Sequence, residues 1–256
     1  MKVSIIQPDT RWEDKVSNFS ILDDIISDIK SDTDIIILPE MFSTGFSMNN
    51  TELSEPPGGE TYDWMISMAE KTNSALCGSY MIRSGLRYLN RWVFVTPEKR
   101  SWSYDKRHLF RMGNEHLYFS PGNKRLTFSF RGVRIFPGVC YDLRFPVWSR
   151  NINNYDLLIN SANWPSPRRN VWLTLLTARA LENQCYVAGA NRIGKDGTGV
   201  TYTGDSVIIS PGGKILASAG KNTECSITAE ISITELKEFR TKFPVLKDID
   251  KFTITK

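Results

Sequence analysis

Ile35-Ile36-Ile37-Leu38-Pro39-Glu40 is four aliphatic residues in a row, then a proline and a carboxylate. A strand with one wet face alternates apolar and polar side chains. An unbroken aliphatic run instead reads as a strand buried on both faces, which needs a layer packed on each side of it. Pro39 cannot donate to a ladder and ends the strand, so Glu40 stands just past a buried strand end. Toward the N-terminus, residues 3–7 read as another strand. Residues 19–29 read as a helix, because Ile21, Leu22, Ile25, Ile26 and Ile29 recur at helical spacing. Toward the C-terminus, Pro56-Pro57-Gly58-Gly59 punctuates the chain before a helix over 61–71 and a strand over 75–80.

Further out, strands are predicted at 91–95, 102–106, 126–130 and 133–139, close together and separated by turn residues, as antiparallel pairs require. The sheet is therefore expected to be mixed. Alternation resumes with a short helix near Val147, a strand at 157–160, a helix over 171–183 and a strand over 185–190. The last quarter reads as strands at 203–210, 214–216 and 224–231, with Pro211-Gly212-Gly213 as a hairpin turn, followed by a short helix at 233–239 and a polar tail. No low-complexity linker or internal repeat divides the 256 residues, so one α/β domain, helices covering a large β core, is expected.

Composition removes several function classes. Hydrophobic residues make up 41% and charged residues 23%, which argues against disorder and fibrous repeats. Thirty-two Lys and Arg against 28 Asp and Glu leave a formal charge of +4, with no basic stripe to follow a phosphate backbone, so no nucleic-acid partner is expected. Cys77, Cys140, Cys185 and Cys225 show no CxxC pairing, so neither a disulfide framework nor a zinc site is suggested, and a reducing cytoplasm is the expected compartment. The opening residues lack signal-peptide features and no apolar run approaches ~18 residues, so no membrane span is expected. With His108 and His116 alone, a Ser-His-Asp triad or a histidine-rich metal site has little material.

Three reactive side chains stand at apolar strand ends: Glu40, Lys106 in Tyr-Asp-Lys-Arg-His, and Cys140 in Gly-Val-Cys-Tyr-Asp. Strand ends line the ligand crevice of an α/β sheet, so residues far apart in sequence can meet there. Such a trio suits nucleophilic catalysis, a thiol attacking an acyl carbon while a carboxylate takes its proton. A carboxylate beside a thiol disfavours the thiolate, and a lysine offsets that repulsion and can face a developing oxyanion. Cys140 lies at a strand-to-helix corner, which directs the backbone N–H of Tyr141 toward the same oxyanion. Taken singly each residue has a plainer reading: a packed thiol, a carboxylate after a turn, an edge-strand charge.

The flanks of the trio change that balance. Leu38-Pro39-Glu40, Tyr104-Asp105-Lys106 and Cys140-Tyr141-Asp142-Leu143-Arg144-Phe145-Pro146 resemble the Glu-Lys-Cys contexts of the nitrilase superfamily of carbon-nitrogen hydrolases. Ala178-Arg179-Ala180-Leu181-Glu182-Asn183, Asn191-Arg192, Gly204-Asp205-Ser206 and Pro211-Gly212-Gly213 extend the resemblance over nearly the whole chain. Asp105–Met112, Phe145–Asn151 and Ala162-Asn163-Trp164-Pro165 with Pro167-Arg168 are most similar to its bacterial omega-amidase branch. The resemblance implies a four-layer α-β-β-α sandwich in a single domain over residues 1–256, a homodimer, and a tail at about 240–256 packing on a neighbouring subunit. It implies hydrolysis of the terminal amide of 2-oxoglutaramate or 2-oxosuccinamate, a small-molecule substrate, with neither cofactor nor metal. It also implies that Glu115 holds Lys106 and orients the amide, and that Phe110, Asn163, Trp164 and Arg168 meet the substrate.

In the mechanism this implies, Glu40 takes the Cys140 proton, Lys106 and the Tyr141 N–H receive the oxyanion, and a thioester on Cys140 is then hydrolysed. The substrate carboxylate needs a cation, for which Arg168, Arg169, Arg91 and Arg192 all qualify. Asp142 and Arg144 read first as a structural ion pair, and His108 and His116 as groups that support the site from behind its contacting residues or as hydrogen-bonded structural groups, rather than as catalysts. Three rival readings stay open: a nitrile or N-carbamoyl amino acid hydrolase with the same trio, a silent binding module on the same scaffold, and a redox-sensing thiol protein.

Overall fold

The computed structural model describes residues 1–29 and 32–254. The first half of the chain gives β1 (Lys2–Gln7), α1 (Lys15–Ser27), β2 (Ile35–Ile37), α2 (Asn50–Leu53), α3 (Glu60–Thr72), β3 (Ala75–Ser84), β4 (Arg87–Val95), β5 (Ser101–Asp105) and α4 (Glu115–Tyr118). The second half gives β6 (Phe128–Phe130), β7 (Val133–Val139), α5 (Pro146–Ser149), β8 (Leu157–Ser161), α6 (Arg169–Asn183) and β9 (Tyr186–Ala190). It closes with β10 (Ile193–Lys195), β11 (Thr201–Thr203), β12 (Val207–Ile209), β13 (Ile215–Ser218), β14 (Cys225–Glu230) and α7 (Ile233–Lys242).

Two six-stranded sheets result, ordered β14-β1-β2-β3-β4-β5 and β13-β12-β9-β8-β7-β6. Each has a parallel centre, β1-β2-β3 in one and β7-β8-β9 in the other, flanked by antiparallel strands. The sheets face each other with helices outside, a four-layer α-β-β-α sandwich. The aliphatic run of β2 shows why. Ile35 and Ile37 join the core between the sheets with Trp92, Phe94, Phe128 and Ile135. Ile36 and Leu38 face the other way and meet Leu22 and Ile26 of α1 and Met65, Met68 and Ala69 of α3. One strand thus feeds two hydrophobic layers, as its lack of alternation required.

Several boundaries differ from expectation for local reasons. Helix α1 starts four residues before the predicted position, because the Asp14 carboxylate caps it by accepting from the Ser17 N–H at 3.0 Å. The single strand expected at 203–210 is two. Gly204 and Asp205 have φ of 82° and 62° and break it, leaving β11 paired with β10 in a separate hairpin and β12 in the second sheet. Strand β6 begins two residues later than predicted, and β3 runs four residues further. Past α7, Phe243 is 63% exposed, and Phe252 and Ile254 are also exposed.

Candidate active site

Lys106 and Cys140 sit immediately beyond the C-terminal ends of β5 and β7, and Glu40 three residues beyond that of β2. The backbone turns sharply at two of the three: Met41, next to Glu40, has φ 43° and Cys140 itself has φ 44°. A left-handed conformation costs a non-glycine residue on the order of 1–3 kcal/mol and persists where the surroundings hold it. Here Asp142 does so. Its carboxylate accepts from the Val139 N–H at 3.0 Å, the Tyr104 hydroxyl at 2.8 Å, and the His108 N–H and Nδ1 at 2.9 and 2.7 Å. One buried carboxylate therefore fastens the Cys140 turn to the end of β5 that carries Lys106.

The Lys106 ammonium is fully buried between two carboxylates, 2.7 Å from Glu40 Oε1 and 2.8 Å from Glu115 Oε2, both also fully buried. Asn90 Nδ2 on β4 donates to both, at 2.8 Å to Glu40 and 3.0 Å to Glu115. The Phe110 N–H donates to Glu115 at 2.6 Å, and the Asn163 N–H to Glu40 Oε2 at 2.9 Å. Cys140 Sγ lies 3.7 Å from the Asn163 carbonyl, and the Glu40 carboxylate is near enough to raise its thiol. The four residues expected to act together are thus brought together, with every carboxylate oxygen supplied with a donor.

Charge states follow from this packing. Burial pushes the Cys140 thiol well above its ordinary value, and the Glu40 and Glu115 charges add to the rise against the opposing Lys106. The sulfur therefore rests as a thiol and needs a base at the moment of attack. Burial alone would lower Lys106, but Glu115 and Glu40 outweigh it and hold the ammonium charged. Burial raises Glu115, with Lys106 opposing and Glu40 reinforcing.

Cys140 forms part of the lining of a cavity of about 740 Å³. Phe110, Asn163, Trp164 and Arg168, all expected at the substrate, line it, as does Tyr141. Tyr141 is the second residue of the short turn Cys140–Arg144, where a first-turn N–H has no intrahelical acceptor. Three expected cations stand elsewhere: Arg91 is paired with Asp105, Arg169 with Asp205, and Arg192 is buried on the carbonyls of Thr10 and Ile193. The expected Asp142–Arg144 ion pair is absent among the described residues. Residues two apart on the turn point to different sides, so Asp142 faces the β5 end and Arg144 faces the cavity, over the Trp164 ring at 5.3 Å. His108 stacks on Phe145 at 3.7 Å and bonds to Asp142, while His116 Nδ1 is buried without a partner among the described residues.

Asn90 escaped the sequence reading because the expected strand began at residue 91 and left it in a connection, whereas β4 starts at Arg87 and buries Asn90. Among the described residues, no group of three or more His, Cys, Asp or Glu is placed to hold a metal ion, and no helix is long and apolar enough to cross a membrane.

A model of the carbon-nitrogen hydrolase family matches residues 2–241. The chain is 45% identical over 254 residues to the omega-amidase YafV of Escherichia coli K12, covering 99% of this chain and 98% of that one. It is 34% identical to the 2-oxoglutaramate amidase of Bacillus subtilis 168, covering 97% of each. In structure it resembles XC1258 of Xanthomonas campestris, a carbon-nitrogen hydrolase superfamily protein with an arsenic adduct in its active site, with a TM-score of 0.96, 39% identity and coverage of 100% and 99%.

Proposed function

This chain belongs to the carbon-nitrogen hydrolase family, and from that premise we propose that it is an omega-amidase. It hydrolyses the terminal linear amide of short 2-oxo dicarboxylic acids, 2-oxoglutaramate and 2-oxosuccinamate, to the oxo-diacid and ammonia. The observation that carries this reading is the buried Glu40–Lys106–Glu115 cluster beside the Cys140 thiol, opening onto a cavity. The names of the relatives in Escherichia coli and Bacillus subtilis support the substrate class.

In the cycle, Cys140 Sγ attacks the amide carbon as Glu40 accepts the thiol proton. Lys106 and the Tyr141 N–H receive the oxyanion; Glu115, assisted by Asn90, holds the ammonium aimed and orients the amide. The C–N bond breaks as Glu40 passes its proton to the leaving nitrogen, giving ammonia and a thioester on Cys140. Water then attacks the thioester as Glu40 accepts a proton from it, and that proton returns to the departing thiolate. The raised thiol accounts for the need for a base throughout. Phe110, Asn163, Trp164 and Arg168 form the substrate walls.

The single domain spans residues 1–256 and works in the cytoplasm as a homodimer, with the tail at about 240–256 on the neighbouring subunit. The exposure of Phe243, Phe252 and Ile254 supports that assignment. The test is steady-state ammonia release. Turnover of 2-oxoglutaramate well above that of glutamine, asparagine and a simple nitrile is expected; a preference for the nitrile would overturn the reading.

A further inference from the structure

We propose that His108 and Asp142 form a positioning pair that sets the Cys140 turn against Lys106 for the acylation step, His108 acting through the Asp142 carboxylate and touching no substrate. This deepens the amidase reading and rests on it. Neither residue lines the cavity at Cys140. The His108 imidazole is instead held from three directions. One face stacks on Phe145, with centroids 3.7 Å apart and planes 6° from parallel. Trp148 meets the ring edge-on at 5.9 Å, centroid to centroid. Nδ1 lies 2.7 Å from Asp142 Oδ1. The two aromatic neighbours fix the plane of the ring, and an ionised carboxylate only accepts, so Nδ1 carries the hydrogen and donates it.

Asp142 depends on that donor. It is 3% exposed, and among the described residues no lysine or arginine pairs with it. Its Oδ2 accepts from the N–H of Val139, the residue before the nucleophile, and from the hydroxyl of Tyr104, two residues before Lys106. Its Oδ1 accepts from the backbone N–H and Nδ1 of His108, two residues after Lys106. The carboxylate is thus bonded on one side to the Cys140 turn and on the other to residues that bracket Lys106. Arg107 does not substitute for the imidazole: its guanidinium lies over Trp148 at 5.3 Å and donates to the Gly122 carbonyl.

A buried carboxylate is stable only while its oxygens are supplied with donors, and removing Nδ1–H leaves Oδ1 with a single one. The effect falls on Cys140, whose φ of 44° persists only while the surroundings hold it. Lys106 is fixed separately by Glu40 and Glu115. A slackened Asp142 therefore moves the sulfur while the ammonium stays in place.

The experiment compares wild type with His108→Phe, which keeps a ring against Phe145 and removes the donor, and with His108→Asn, which removes the ring and keeps a donor near the Nδ1 position. Each is followed by its melting curve, by kcat and KM for 2-oxoglutaramate, and by the pH profile of Cys140 alkylation with iodoacetamide. His108→Phe should lose about 10- to 100-fold in kcat with KM held within about threefold, as a displaced reacting atom requires, and His108→Asn should recover most of that loss. The alkylation midpoint of His108→Phe should move up, because burial and Glu40 raise the thiol and Lys106 opposes them. Should His108→Phe not fold, His108→Leu, equally without a donor, takes its place. A lowered melting temperature with kcat and alkylation profile unchanged would overturn the proposal, as would equal kcat losses in the Phe and Asn variants. A midpoint raised in His108→Phe and restored in His108→Asn, without wild-type turnover of 2-oxoglutaramate, would remove the proposed substrate and retain the pair. Wild-type turnover with neither kcat nor midpoint moved by His108→Phe would do the reverse.

Discussion

Replacing Lys106 by Met removes an ammonium that contacts two carboxylates, all three side chains being fully buried. Taking one partner from a buried ion pair costs about 3–5 kcal/mol, because the remaining charge is stranded. In a chain of this size each kcal/mol moves the melting temperature by about 2–4 °C, so a fall of roughly 6–20 °C is expected near pH 8. The pH dependence is the sharper part. Burial already raises Glu115, Glu40 adds to it, and Lys106 is what opposes it. Without Lys106 the folded-state value climbs further above the unfolded one. A carboxyl so raised contributes stability that is present below the unfolded value and lost as pH rises through the folded value. Acidification from pH 8 should therefore restore the variant relative to wild type by up to about 1.4 kcal/mol per pH unit, one proton's worth. Melting curves of both proteins between pH 5.5 and pH 8.5 provide the assay. A variant that melts with wild type, or whose deficit is independent of pH, would refute the buried charge cluster.

Three further outcomes are expected. The Cβ added by Gly122→Ala lands on the Asp105 carbonyl, with the Asp105 carbonyl carbon at 2.8 Å, where Gly122 also donates to the Lys106 carbonyl; denaturant unfolding should show a loss of about 1–3 kcal/mol, and a change below ~0.5 would contradict the packing. Tyr104→Phe strips the hydroxyl that donates to Asp142 and accepts from the Trp148 and Arg107 N–H groups; about 1–3 kcal/mol of stability and part of kcat should go, and unchanged kinetics would show that the Cys140 turn does not depend on that link. Because burial and Glu40 hold the Cys140 thiol up, its alkylation by iodoacetamide should accelerate past about pH 9 in the wild type, whereas a plateau below pH 8 would contradict the raised thiol.

The positions of Glu40 and Cys140 were legible because each follows an apolar run, and packing dictates where such runs end, whereas Lys106 follows the alternating Ser101–Asp105 and was marked by its flanking residues. The cavity was not, since it depends on loops. Trp12, Phe46 and Val200 line it from three separate connections whose sequences carry no periodicity. Arg144 was misread because sequence proximity to Asp142 suggested a pair, whereas the direction of each side chain is set by the turn. Glycine misled in the same way at 203–210: the strand pattern continued through Gly204, but its positive φ broke the ladder. The distinction follows from physics. Burial of a strand is written in its own side chains, while a loop's course is written in the contacts of other segments.

The central claim is that Cys140 carries the acyl group. The most direct measurement is the intact mass of protein quenched during turnover of 2-oxoglutaramate. One 2-oxoglutaryl group localised to Cys140, absent from Cys140→Ala, is the predicted result; ammonia release at wild-type rate by Cys140→Ala would contradict it.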